Sequence, residues 1–103
     1  MKILKDNQGN NIRLTDERLE HILLHPEMIE LQNKIETAII NPDYIIKSKV
    51  DKNVKLFNKF YITKQFGGKY LCVVVKYEKD DAFIITSYLI RELPKGDILW
   101  QKN

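Results

Sequence analysis

The hydrophobic pattern of this chain changes period once, at Asn41-Pro42-Asp43, and that change limits what it can fold into. Upstream, Met28, Leu31, Ile35, Ala38 and Ile39 recur at the three- and four-residue spacing of one helix face. Downstream, the stretches Tyr44 to Val50, Val54 to Thr63, Tyr70 to Glu78 and Ala82 to Arg91 alternate as strands do. Their links, Asp51-Lys52-Asn53, Gln65-Phe66-Gly67-Gly68 and Lys79-Asp80-Asp81, are short and polar or glycine-bearing, which favours hairpins and an antiparallel meander. The third and fourth strands are apolar on both faces at their centres, as the middle of a covered sheet would be. Pro94-Lys95-Gly96 makes a turn, and Asp97 to Gln101 adds a final edge strand carrying Trp100.

Before the helices, Lys2 to Lys5 and Asn11 to Leu14 flank a turn-rich Asp6-Asn7-Gln8-Gly9-Asn10, which predicts a short hairpin. Thr15 caps a helix whose first turn carries Asp16 and Glu17, and Leu14 and Leu19 hold the positions of a hydrophobic staple. Pro26 ends this helix or starts the next, which closes near Asn41-Pro42. The predicted class is α+β: two N-terminal helices packed on a twisted antiparallel sheet of four to five strands, with a short N-terminal hairpin. There is no repeat, low-complexity tract or linker, so residues 1–103 read as a single domain.

The charge is mildly basic, +3 at pH 7, which is compatible with a polyanionic partner without singling one out. A lone cysteine, Cys72, excludes an internal disulfide framework and suits a reducing compartment. Its place in Leu71-Cys72-Val73-Val74-Val75 predicts a buried, inert thiol. The N-terminus has no apolar signal region, and the longest apolar runs fall well short of the ~20 residues that cross a bilayer. The expected location is the cytoplasm.

The chemistry-bearing stretch is Arg18-Leu19-Glu20-His21-Ile22-Leu23-Leu24-His25-Pro26-Glu27, which holds both histidines. On an ideal helix Arg18, His21 and His25 form one row, opposite Leu19, Ile22 and Leu23. Histidines four apart can clip a metal, but the zincin pattern needs a glutamate directly after the first, and Ile22 stands there with no third ligand set. That leaves a solvent-facing stripe or an acid–base role near neutral pH. In the sheet, Thr86 and Tyr88 share a face, as do Lys59 and Tyr61, and Lys76 ends the Val73-Val74-Val75 run. With helices on one side, the other is expected to present Lys59, Tyr61, Lys76, Thr86 and Tyr88 together, a cationic, hydroxyl-bearing face suited to a phosphodiester chain. Lys95, near Trp100, would add a cation from a loop. Gly67-Gly68 is a hairpin turn, since neither a phosphate-loop pattern nor a following helix accompanies it.

The order of Leu14-Thr15-Asp16-Glu17-Arg18-Leu19-Glu20-His21, His25-Pro26-Glu27, Asn41-Pro42-Asp43, Phe60-Tyr61, Leu71 to Lys76, Ile85-Thr86-Ser87-Tyr88 and Lys95 to Trp100 resembles the phage-associated barnase–EndoU–colicin–RelE-like nuclease domains, the BECR fold. The resemblance spans roughly residues 13 to 101. It implies a metal-independent ribonuclease needing no cofactor, often deployed as a toxin and neutralised by a cognate antitoxin or immunity protein. It implies a site lined by His21 or His25, Lys76, Thr86 and Tyr88; from the residue reading above, Arg18, Lys59, Tyr61 and Lys95 are expected on the substrate. Ser87 stands where relatives often carry alanine, and Lys59 and Lys64 are the cations where an arginine is expected. The expected reaction is attack of a ribose 2′-OH on the adjacent phosphorus, a histidine taking the proton and His21 favoured for that task. A non-catalytic domain that binds RNA or a protein through the same sheet is the alternative.

Overall fold

The computed structural model describes residues 1–103. The chain forms β1 (Lys2–Lys5), β2 (Asn11–Leu14), α1 (Asp16–Ile22), α2 (Met28–Leu31), a 3₁₀ turn (Gln32–Lys34), α3 (Ile35–Ile40), β3 (Tyr44–Lys47), β4 (Val54–Thr63), β5 (Gly67–Glu78), β6 (Asp81–Ile90) and β7 (Ile98–Gln101). All strands join one seven-stranded sheet in the order β1-β2-β6-β5-β4-β3-β7. No helix is long and apolar enough to cross a membrane.

This corrects the expected class. Instead of two helices on a four- to five-stranded antiparallel sheet, strand dominates and the sheet is seven-stranded and mixed. The N-terminal hairpin does not stand apart. β2 adds in parallel to the outer edge of β6 through Arg13 and Phe83, an edge that would otherwise expose unpaired backbone groups. A side-chain clip holds it there: the Arg13 guanidinium donates two bonds to Asp81, at 2.9 and 2.8 Å, and lies over the Phe83 ring. At the other edge β7 pairs with β3. The helical region also differs from the reading. Thr15 does cap α1, its hydroxyl accepting the Arg18 N–H. The second expected helix, however, breaks into α2, the 3₁₀ turn and α3. Neither Glu27 nor Lys34 supplies a side-chain cap, and Gln32, Asn33 and Lys34 are all exposed, so no burial holds that stretch in α-helical register.

Residues paired directly across antiparallel strands share a face, so the register sorts every side chain. Leu71, Val73 and Val75 of β5 face the helices, in one core with Ile22, Met28, Ile35, Ala38 and Ile39. Cys72 and Val74 face the other way, in a smaller cluster with Val54 and flanking Leu56, Ile85, Tyr88 and Ile90. No helix packs on this second face. β6 carries a bulge: Val75 pairs with Ile84 but Val74 with Thr86, leaving Ile85 unpaired. The extra residue reverses the alternation. Ala82 and Ile84 therefore enter the main core while Thr86 and Tyr88 turn to the helix-free face.

The connector Arg91–Asp97 must pass from β6 over β5, β4 and β3 to reach the far edge. Helices occupy one side of the sheet, and Gly96 rests against the side chain of Ile46, which the register puts on the other. The connector therefore straps the helix-free face. Gly96 has φ 147°, and a Cβ there would run into the Lys47 carbonyl oxygen, so glycine is required where the strap docks.

Candidate active site

α1 packs against β6, anchored by the fully buried Ile22. The helix stops there. Leu24 and His25 donate their N–H groups three residues back, to His21 and Ile22, so the chain leaves α1 in a tighter turn than an α-helix. That turn rotates His25 out of the row it was expected to share with Arg18 and His21. Its ring, half-buried, meets Tyr88 edge-on, with centroids 6.3 Å apart and planes at 67°. His25 reaches Tyr88 beside the part of β6 that β2 leaves unpaired, since their one bridge lies at Phe83. His21 stays exposed, in a shallow groove of about 360 Å³ lined by Glu17, Arg18, Glu20 and Leu24 with nothing from the sheet.

On the helix-free face the rows run across the strands. One row is Tyr44, Asn58, Cys72 and Tyr88, and the next is Ile46, Leu56, Val74 and Thr86. Burial, then the neighbouring Cys72 thiol, pushes the Tyr88 phenol up to about 12, so it is a proton donor at neutral pH. Burial likewise pushes the Cys72 thiol up to about 12, leaving it protonated and unreactive. Lys76 shares this face, roughly 13 Å along β5 from Cys72. It is not a free cation, because its ammonium donates to Asp51 Oδ2 at 3.0 Å, which holds its pKa up. The Asn53 backbone N–H, and then Lys76, hold Asp51 down. Lys95 rides the strap across this face, exposed and outside every ion pair of the structure.

Two expected members are elsewhere. Lys59 and Tyr61 pair with Leu71 and Lys69, which puts them on the helix side. The Lys59 ammonium donates to the Asn41 carbonyl at 2.9 Å, tying the end of α3 to β4, with Asp43 at 4.0 Å. Tyr61 packs on the main core with Lys34 over its ring. Its hydroxyl has no hydrogen-bond partner in the protein, and burial, then Asp43, raises its pKa. The five-residue face therefore splits into Lys76, Thr86 and Tyr88 on one side and Lys59 and Tyr61 on the other.

Sequence reasoning missed Arg13 and the aromatic residues Tyr44, Phe60 and Tyr70, all on the helix-free face. The alternation Ile12-in, Arg13-out, Leu14-in was visible, but not the strand that β2 would join. Phe60 pairs with Tyr70 and meets its ring edge-on, and Tyr44 does the same from β3. No three of the chain's histidine, cysteine, aspartate and glutamate side chains converge as a metal-binding group.

His25 thus meets Tyr88, whose strand neighbour Thr86 shares the helix-free face, while His21, Lys59 and Tyr61 lie elsewhere. No curated protein and no solved structure matches this chain. A match over residues 1–101 does identify its family: the chain belongs to the phage-Barnase-EndoU-ColicinE5/D-RelE like nuclease2 family.

Proposed function

We propose that this chain is a metal-independent endoribonuclease cleaving RNA by transesterification, with His25 as the base. The observation that carries the reading is the half-buried His25 ring set against Tyr88 on the helix-free face of a chain from a nuclease family. The family implies a nucleic-acid substrate. His25 takes the proton of a ribose 2′-OH as that oxygen bonds to the adjacent phosphorus. The bond from phosphorus to the 5′ oxygen breaks, Tyr88 protonates the departing oxygen, and a 2′,3′-cyclic phosphate remains. Thr86 donates to a non-bridging oxygen, and Lys95 meets the developing charge from the strap. Lys76 joins only if the phosphate displaces Asp51. The nucleophile belongs to the substrate, so the chemistry asks for no metal.

Purified protein is expected to cut a single-stranded oligoribonucleotide in the presence of a chelator. A single 2′-deoxy substitution should block cleavage at the nucleotide that carries it. His25→Ala should lower kcat by about 10²–10⁴-fold while His21→Ala stays near wild type. Cleavage of the 2′-deoxy position, or a His25→Ala variant as active as wild type, would overturn this chemistry. A second reading, binding without turnover, draws on the fact that the strand cations Arg13 and Lys76 are each neutralised by a carboxylate. Tight binding of uncut RNA by the wild-type protein would decide for it. As a phage-associated nuclease the chain would act as a toxin under a cognate antitoxin or immunity protein. Growth arrest on expression, lost in His25→Ala, tests that role.

A further inference from the structure

The rings of Tyr44, Phe60 and Tyr70 serve neither the main core nor the proposed chemistry. They lie together on the helix-free face and wall a hollow of about 240 Å³ that Asp43, Lys102 and Asn103 complete. Their mutual packing is edge-to-face, at 5.2 Å for Phe60 and Tyr70 and 6.3 Å for Tyr44 and Tyr70. Such contacts hold the rings rigid while leaving faces available. Phe60 is 45% exposed, a large apolar surface for solvent to cover. It is kept in place by Gly68: a Cβ at that position would come 2.7 Å from the tip of the Phe60 ring, so only glycine lets the ring lie over β5. A cation stands at the rim in Lys102.

We infer that this hollow is a nucleobase-binding subsite that stacks one base of a single-stranded RNA. The inference rests on the nuclease reading and extends it to how the strand is held. A π-face is common to all four bases, so rings of this kind bind a strand without choosing its sequence, while the lysine at the rim meets the backbone. The hollow shares its face of the sheet with Tyr88. Tyr70 pairs with Ile90 and Cys72 with Tyr88, so Tyr70 and Tyr88 are diagonal neighbours, about 7–8 Å apart at the backbone.

The test uses a short single-stranded oligoribonucleotide made uncleavable by 2′-O-methylation, titrated into the whole protein and followed by NMR and by fluorescence anisotropy. Resonances of Tyr44, Phe60 and Tyr70 should shift, and Phe60→Ala and Tyr70→Leu should each weaken binding by about tenfold or more, the size of one lost base-stacking contact. Phe60→Trp should restore it. Because Phe60 is exposed, its variants test the inference even if Tyr70→Leu does not fold. On a cleavable substrate Phe60→Ala should raise KM more than it lowers kcat. If the wild type binds and cuts RNA but Phe60→Ala and Tyr70→Leu do so equally well, the subsite is wrong and the nuclease reading stands. If the wild type neither binds nor cuts RNA, both fall, and a protein partner becomes the occupant to seek.

Discussion

Asp6 accepts four hydrogen bonds: from the backbone N–H groups of Gln8 and Asn10, the Asn10 side-chain amide and the Tyr77 hydroxyl. Burial alone would raise its pKa, but the bonds from Asn10, Tyr77 and the loop backbone outweigh it and hold the carboxyl below its ordinary 3.8. A carboxylate whose folded pKa is depressed contributes stability above the unfolded pKa, and that contribution is lost as pH falls through the lower folded value. Denaturant titrations should therefore show stability falling below about pH 4. Asp6→Asn should shrink that acid loss without abolishing it, because Asp51 and Asp81 are lowered as well. At neutral pH the same change should cost about 1–3 kcal/mol, since an amide NH₂ in place of Oδ2 strands the donors of Asn10 or Tyr77. Cys72 offers a second check at this scale. Buried and protonated, it should resist alkylation in the native protein and react once the chain is unfolded in denaturant.

At the scale of elements, the bulge in β6 decides which face Thr86 and Tyr88 serve. Deleting Ile85 should close the bulge while Thr86 stays opposite Val74 and Tyr88 opposite Cys72, so both keep the helix-free face and cleavage should survive in the folded variant, whereas inserting one further residue after Ile85 should turn both toward the helix side and abolish it. Gly68→Ala is a milder probe. It should leave the sheet intact, since Gly68 has an ordinary backbone conformation, yet push the Phe60 ring aside and weaken oligonucleotide binding. These two features show what the sequence could tell. Alternation correctly paired Thr86 with Tyr88 and Lys59 with Tyr61, because faces within one strand depend only on spacing. Which pair joins Lys76 depends on loop length. Thr63 faces Gly67 across three residues, so odd positions of β4 meet odd positions of β5, and Lys59 lands opposite Leu71. A loop of two or four residues would have put Lys59 on the face of Lys76. The Ile84-Ile85-Thr86 bulge carries no glycine or proline to announce it. The histidine row failed for a different reason: the helix ends one turn short of His25, and the tighter turn after it carries the side chain to Tyr88.

At the scale of the molecule, the strands whose pairing was legible were those joined by short links: β1 to β2, β3 to β4, β4 to β5 and β5 to β6. The connections that make the sheet seven-stranded are long-range, β2 onto β6 and β7 onto β3, and no local pattern encodes them. Non-local pairing is costly to close, so refolding from denaturant should be slow for a chain this size, on a roughly millisecond-to-second scale. Stopped-flow fluorescence of Trp100, whose strand docks at the sheet edge, should follow it. Arg13→Ala should loosen the hairpin: amide exchange should quicken in β1 and β2 while the centre of β5 stays protected.

The clip between Arg13 and Asp81 joins residues 68 positions apart. On a ribosome adding roughly 5–20 residues per second, the first of them waits about 3–14 s for its partner to be made. His25 waits comparably for Tyr88, and the strap that carries Lys95 is synthesised later still. A chain that ends before β6 therefore holds His25 without Thr86, Tyr88 or Lys95. On the proposed chemistry, a ribosome-bound chain that ends before β6 should cut no RNA, and release of the finished chain should switch the activity on.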